Sequence, residues 1–233
     1  MFTLQKLSLA LVGTAVFFMS ANPAGAVSLT LGNSTSVMGE GQKTSTPGTK
    51  TVDFNSGTAT DPNGFATYSG SNGVVKGSIP NQYAAPLGDD SYYLTVAPSG
   101  IQNIPGSGDE TITFRNPIDY FGFYWGSIDA YNSVSVYSGS KLLATFNGTS
   151  VQGALANGDQ TSTANNFYVN LLADTSKGET FDKVVFSTTG IAFETDNHSY
   201  RLASVPEPTA ILGLLGFGVV SAGSFLKRKS KLV

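Results

Sequence analysis

Oxygen ligands gather towards the two ends of the central part of this sequence. Asp53 and Asn55 lie near its start, and Glu194, Asp196 and Asn197 lie near its end. Carboxylate and amide oxygens are hard donors of the kind that suit Ca²⁺. A fold that brings its first and last strands together would place Asp53, Asn55, Glu194 and Asp196 around one structural calcium ion. Asp129 and Asn132 form a second loop with the same donor types. Asp and Asn also cap turns for local reasons, and the sequence holds no EF-hand loop or calcium-binding repeat. A different chemistry is offered by Tyr120 and Tyr124, which flank Gly122. Two tyrosines around a glycine would make a flat platform for stacking a sugar ring, or equally a second buried or half-exposed face whose hydroxyls reach water.

Catalytic chemistry is mostly absent. There is no cysteine and a single histidine, His198, so thiol catalysis is excluded and a zinc site lacks its usual ligands. No serine sits in a Gly-x-Ser-x-Gly elbow that could recruit His198 into a triad. His198 lies in a polar segment and reads as a surface residue. A carboxylate pair for glycoside hydrolysis would arise by chance among so many acidic residues, so it carries no signal. The chain reads as a non-enzyme with no cofactor beyond a structural calcium ion.

The elements that must position these groups are short strands. Alternating apolar and polar residues bounded by Gly, Asn, Asp and Pro predict strands over 50–54, 65–68, 91–96, 110–114, 119–125 and 133–137. Further strands are expected over 141–146, 166–172, 181–187 and 190–195. Tyr137 to Lys141 form a hairpin turn around Gly139. Within 120–125, alternation puts Phe121, Phe123 and Trp125 on one face, which is core, and Tyr120, Gly122 and Tyr124 on the other. Residues 27–48 are of low complexity, with room for one edge strand and a loose arm. This pattern predicts an all-β fold, an antiparallel β-sandwich of jelly-roll type.

Charge separates the chain into parts. Of 13 basic residues, Lys6 lies near the start and Lys227, Arg228, Lys229 and Lys231 lie at the end, leaving eight in the body against fifteen acidic residues, a net −7. An acidic body with no basic patch is unsuited to nucleic acid. Without cysteine it must also reach its stability without disulfides.

Both ends read as membrane signals. Residues 7–19 are apolar or small after Lys6, and Ala24-Gly25-Ala26 is a small-x-small cleavage pattern, so 1–26 reads as a signal peptide for signal peptidase. Residues 210–226 are uncharged and apolar, about 25 Å long as a helix at ~1.5 Å per residue, the short end of a membrane span. The basic cluster that follows keeps the C-terminus cytoplasmic and the body outside. Pro206-Glu207-Pro208 stands just ahead of that stretch and stays extended, because each Pro fixes its own φ and disfavours helix in the residue before it.

Val205-Pro206-Glu207-Pro208, a short glycine-rich apolar helix and a terminal Arg/Lys cluster together resemble the PEP-CTERM sorting signal. The resemblance covers about 30 of 233 residues. It implies recognition of Pro206, Glu207 and Pro208 by an exosortase, a membrane-inserted intermediate, and removal of the tail as the protein passes to the cell surface or extracellular matrix of a Gram-negative-type envelope. Phe114 to Asn132, and Ala192 to Asn197 with its Phe-Glu-x-Asp-Asn order, are similar to ectodomains of exosortase-dependent surface proteins and imply a β-sandwich. The organisation is therefore signal peptide 1–26, sandwich 27–203 and sorting signal 204–233. Two functions fit: a non-enzymatic surface or matrix protein, and a carbohydrate-binding module for envelope or extracellular polysaccharide.

Overall fold

A computed structural model describes residues 27–100, 106–152 and 155–204. The chain divides after Ala203 into Met1–Ala203 and Ser204–Val233, and the fold below is that of the first unit. The expected signal peptide and sorting signal lie outside the described residues. Among the described residues no helix is long and apolar enough to cross a membrane.

The described strands are β1 (Val27–Leu31), β2 (Ser34–Ser36), β3 (Gln42–Thr44), β4 (Lys50–Val52), β5 (Ala66–Gly70), β6 (Asn72–Lys76) and β7 (Tyr92–Val96). They continue with β8 (Gly108–Trp125), β9 (Asn132–Ser138), β10 (Lys141–Asn147), β11 (Phe167–Ala173), β12 (Phe181–Thr188) and β13 (Phe193–Leu202). Eleven of them hydrogen-bond into one antiparallel sheet, and β2 and β3 pair separately as a hairpin.

β8 folds that sheet on itself. The sequence predicts two strands here, 110–114 and 119–125; the structure joins them into one strand of 18 residues whose pairing partners change around Pro117. Pro117 has no N–H for a ladder, and the neighbouring groups find partners off the strand. The Arg115 N–H donates to the Phe65 carbonyl (2.8 Å), and the Pro117 carbonyl accepts from the Ala203 N–H (3.0 Å). The register with β12 jumps at the same place, from Lys183 opposite Thr113 to Phe181 opposite Ile118. The N-terminal half of β8 then lies between β12 and β5, with β9 and β10 beyond β12. Its C-terminal half lies between β11 and β13, with β1 beyond β11. β7 and β4 share the other side of β13 in succession. The result is an all-β antiparallel sandwich.

The interior is aromatic. Phe121, Phe123 and Trp125 are wholly buried. Phe186 of β12 meets Phe123 edge-on at 4.9 Å, and Phe193 of β13 stacks on Trp125 at 4.6 Å. Such pairs add to the burial of their area.

β13 keeps facing this interior only by slipping one residue. Phe193 and Thr195 point inward, then Asn197 takes a left-handed conformation (φ 52°) and the register with β8 shifts between Asp196 and Ser199. After that bulge His198 and Tyr200 point inward. A β-bulge of this kind re-aims every later side chain of the strand. The expectation of a surface His198 is thereby corrected. Its ring is wholly buried, stacked on Phe186 at 5.3 Å and edge-on to Phe54 at 4.9 Å. Burial pushes its pKa down to about 3, so the ring is neutral.

Residues 27–48 hold more order than an edge strand and an arm. The hairpin β2–β3 covers the outer side of the β8–β11–β13 layer, with Thr44 Oγ1 2.8 Å from Tyr120 Oη. Gly122 makes room beneath it. A Cβ there would meet the Tyr120 hydroxyl and would sit 2.7 Å from the Tyr168 ring.

Candidate functional site

The hairpin decides the fate of the tyrosine platform. Tyr120 and Tyr124 are each 1 % exposed. The Tyr120 hydroxyl donates to Asn170 Oδ1 (2.7 Å) and the Tyr124 hydroxyl to the Leu87 carbonyl (2.7 Å). Neither ring can receive a sugar. Of the two faces that alternation defines on this strand, both are interior, because a third layer of polar residues covers the second.

The proposed calcium set is also rearranged. Asp53 Oδ1 accepts from the Asn55 N–H (3.1 Å), which closes a local turn, and Asn55 Oδ1 accepts from the Tyr92 N–H (3.4 Å) at the start of β7. Glu194 and Asp196 are both buried but serve different surroundings. Glu194 Oε1 accepts from the Ala84 N–H (2.9 Å), whereas the Asp196 carboxylate adjoins Asp89. The four residues do not converge on one ion: among the described residues no three of His, Cys, Asp and Glu form a metal-holding group. Asp89, which does meet Asp196, sits in Gly88-Asp89-Asp90-Ser91, a run that by itself signals only a turn.

A cleft at one end of the sandwich is an open concave site. Its volume is about 730 Å³. One wall is the loop from Ile79 to Tyr83, closed by reciprocal hydrogen bonds in which the Ile79 N–H donates to the Tyr83 carbonyl (3.0 Å) and the Tyr83 N–H returns to Ile79 (3.2 Å). The opposite wall is the loop after β8, carrying Asp129 and Tyr131, with Gly158 against it. Gly158 is at φ 71° and leaves no room for a Cβ beside the Asp129 carboxylate, so a side chain there would displace that wall. Glu194 forms part of the floor. The Tyr131 hydroxyl donates to the Ile191 carbonyl (2.8 Å), which ties the Asp129–Tyr131 loop to the start of β13.

The cleft is acidic and amphipathic. Burial, with the nearby Asp129 charge adding to it, pushes the Glu194 carboxyl up to about 7. Burial likewise raises Asp129, with the nearby Tyr131 hydroxyl offsetting part of the effect. No lysine or arginine lines the cleft among the described residues, while Asn81, Gln82, Asn157 and Gln160 supply amides. Its rim carries apolar surface, with Ile79 42 %, Ile191 44 % and Tyr131 37 % exposed. Asp129 belonged to a candidate loop in the sequence; its companion Asn132 turns inward instead and donates to the Ala192 carbonyl (3.0 Å). The Ile79–Tyr83 wall had no sequence signal beyond its turn residues.

No family model matches this chain, and no curated protein matches it. Among solved structures it is similar to the K2 cleaved adhesin domain of Lys-gingipain (Kgp), at 11 % identity and a TM-score of 0.41, over 66 % of this chain and 99 % of that one.

Proposed function

We propose that this chain is an exported cell-surface or extracellular-matrix protein that acts by binding, and that its end cleft receives an uncharged extracellular polysaccharide. The observation that carries the binding reading is the cleft itself. It pairs amide, hydroxyl and carboxylate groups with the exposed faces of Tyr131, Ile79 and Ile191. A sugar offers the matching surfaces, hydroxyl edges and an apolar ring face. Two acidic side chains and, among the described residues, no basic one disfavour an anionic ligand. The reading contains no catalytic step.

Export rests on the sequence. Signal peptidase would act after Ala26. The basic cluster Lys227, Arg228, Lys229 and Lys231 would hold a membrane-inserted intermediate, and an exosortase would act at Pro206, Glu207 and Pro208. The exported body is then a jelly-roll-like sandwich of net charge −7 at a Gram-negative-type envelope.

A glycan array with the purified protein tests the cleft. Retention of neutral polysaccharide, weakened at least about tenfold by Tyr131→Ala, is the expected result, since a central aromatic contact is worth roughly 1.4 kcal/mol or more. Binding to no glycan, or binding unchanged in Tyr131→Ala, would remove the cleft from the reading, and turnover of a polysaccharide would make the protein an enzyme. Mass spectrometry of the mature C-terminus, with and without the exosortase, tests sorting; an intact Val233 in its presence would contradict it.

A further inference from the structure

Three buried side chains beneath the β2–β3 hairpin, Asp89, Asp196 and Asn197, leave oxygens without a hydrogen-bond partner. Asp196 is 0 % exposed, and neither of its carboxylate oxygens has a hydrogen-bond partner. Asp89 is nearly as buried; its Oδ1 accepts from the Ser91 N–H (2.8 Å) and the Ser91 hydroxyl (2.6 Å), while its Oδ2 is unpartnered. Asn197, wholly buried, donates through Nδ2 to the Glu40 carbonyl (2.7 Å) and leaves Oδ1 unpartnered. Each of Asp89 and Asn197 is thus oriented by one atom and offers the other.

The backbone brings the three together. Glu40, which holds Asn197, forms a β-bridge with Asp89. Gly41 lies flat on the Tyr124 ring, and a Cβ there would be 3.6 Å from Asp89 Cβ. Tyr124 is in turn the β8 partner of Asp196. The Glu40 bridge and the Gly41–Tyr124 contact thus bring the buried Asp89 turn up to the stretch of β13 that carries Asp196 and Asn197. Two adjacent carboxylates buried without a counter-charge are unfavourable as they stand. No lysine, arginine or histidine has a hydrogen bond or ion pair with either of them among the described residues.

We propose that Asp89, Asp196 and Asn197 form a buried Ca²⁺ site that fastens the β2–β3 hairpin and the Asp89 turn to β13. The donor set is all oxygen, with two carboxylates for charge and one amide, and Ca²⁺ accepts backbone carbonyls and waters to complete six to eight ligands. The set keeps Asp196 and Asn197 from the oxygen donors that sequence spacing gathered, and Asp89 stands where Asp53, Asn55 and Glu194 were expected. It is separate from the cleft, and its test uses no glycan, so either reading can fail alone.

The experiment is thermal unfolding and calorimetric titration of the full-length protein after chelation, with CaCl₂ added back. The expected result is saturable heat and a melting temperature raised by about 5–10 °C when free Ca²⁺ is on the order of 100 times its Kd. Asp196→Asn should abolish this rise, and because it removes an uncompensated buried charge it should melt above the wild type in chelator and below it in Ca²⁺. That crossing distinguishes a ligand from a residue that merely supports the fold. Asp89→Asn should behave alike, and the exposed Asp174→Asn should keep the full response. No heat and no shift would overturn the site, as would a shift that survives both variants. An Asp196→Asn protein that is more stable under both conditions, with a wild type indifferent to Ca²⁺, would show that the two carboxylates share a proton instead.

Discussion

Thr195 Oγ1 and His198 Nε2 lie 2.8 Å apart across the bulge of β13. On a regular strand, residues three apart point to opposite faces; the left-handed Asn197 between them brings both into one interior. The other ring nitrogen of His198, Nδ1, is 3.1 Å from the Tyr68 hydroxyl. A neutral imidazole with one donor and one acceptor nitrogen can satisfy both contacts, because each partner is a hydroxyl that can serve in either role.

His198→Ala should therefore be costly. It empties a site packed by Phe54, Phe121 and Phe186 and strips two hydroxyls of their partner. A loss of about 3 kcal/mol is expected, as for other large buried rings cut to alanine. Urea unfolding would measure it, and a loss below about 1 kcal/mol would mean that this ring is not a core element.

Gly122→Ala tests the third layer. The added methyl would enter the space held by the Tyr120 hydroxyl and the Tyr168 ring, both buried. Overpacking of this kind costs about 1–3 kcal/mol. The lost stability should be accompanied by faster hydrogen exchange in Gln42–Thr44, since Thr44 rests on Tyr120. Unchanged stability would mean that the hairpin yields without cost.

Glu110 should make the protein less stable as pH rises. It is wholly buried between β5 and β12, neither carboxylate oxygen has a partner of normal hydrogen-bond geometry, and burial pushes its pKa from 4.5 up to about 7, with Asn72 and the Ser69 backbone offsetting part of the effect. A folded pKa above the unfolded one means that the folded state holds the proton more tightly. The stabilising contribution is full below pH 4.5 and is lost as pH rises through about 7. Glu110→Gln should match the wild type near pH 4 and exceed it by up to roughly 3 kcal/mol at pH 8. A constant difference between the two proteins across that range would contradict the assignment.

The core was legible where one strand carried its own pattern. Phe121, Phe123 and Trp125 alternate without interruption, and the interior follows them. What covers Tyr120 and Tyr124 was not legible, because the hairpin that does so contacts them through Thr44 and Gly41, residues with no apolar signature. His198 reads as a surface residue for a different reason. A one-residue bulge reverses the faces of everything after Asn197, and a polar run then reads as surface although it lines the core. The cleft and the Asp89–Asp196 pair assemble residues about a hundred positions apart, a juxtaposition that only the strand order creates.

Asp61 should show the pH dependence opposite to that of Glu110. Its carboxylate is buried, which by itself raises the pKa, yet its hydrogen bonds more than reverse that and leave the pKa lowered. Oδ2 accepts from the Tyr200 hydroxyl (2.6 Å) and from the N–H groups of Phe65 (2.8 Å) and Ala66 (2.9 Å), and Oδ1 accepts from the Asn63 N–H (2.9 Å) and side-chain amide (3.1 Å). A folded pKa below the unfolded 3.8 contributes stability that is present above that pH and lost as pH falls through the folded value. Asp61→Asn replaces one of the two acceptor oxygens with a donor, so donors would face donors whichever way the amide turned. A loss of about 2–3 kcal/mol is expected at pH 7, narrowing as the pH drops below 3.8. Tyr200→Phe should lose less, since it removes one of the five donors. Denaturant unfolding of both variants at pH 7 and pH 3 checks the order. An Asp61→Asn protein as stable as the wild type at pH 7 would show that these five bonds do not hold the 61–66 turn against β13.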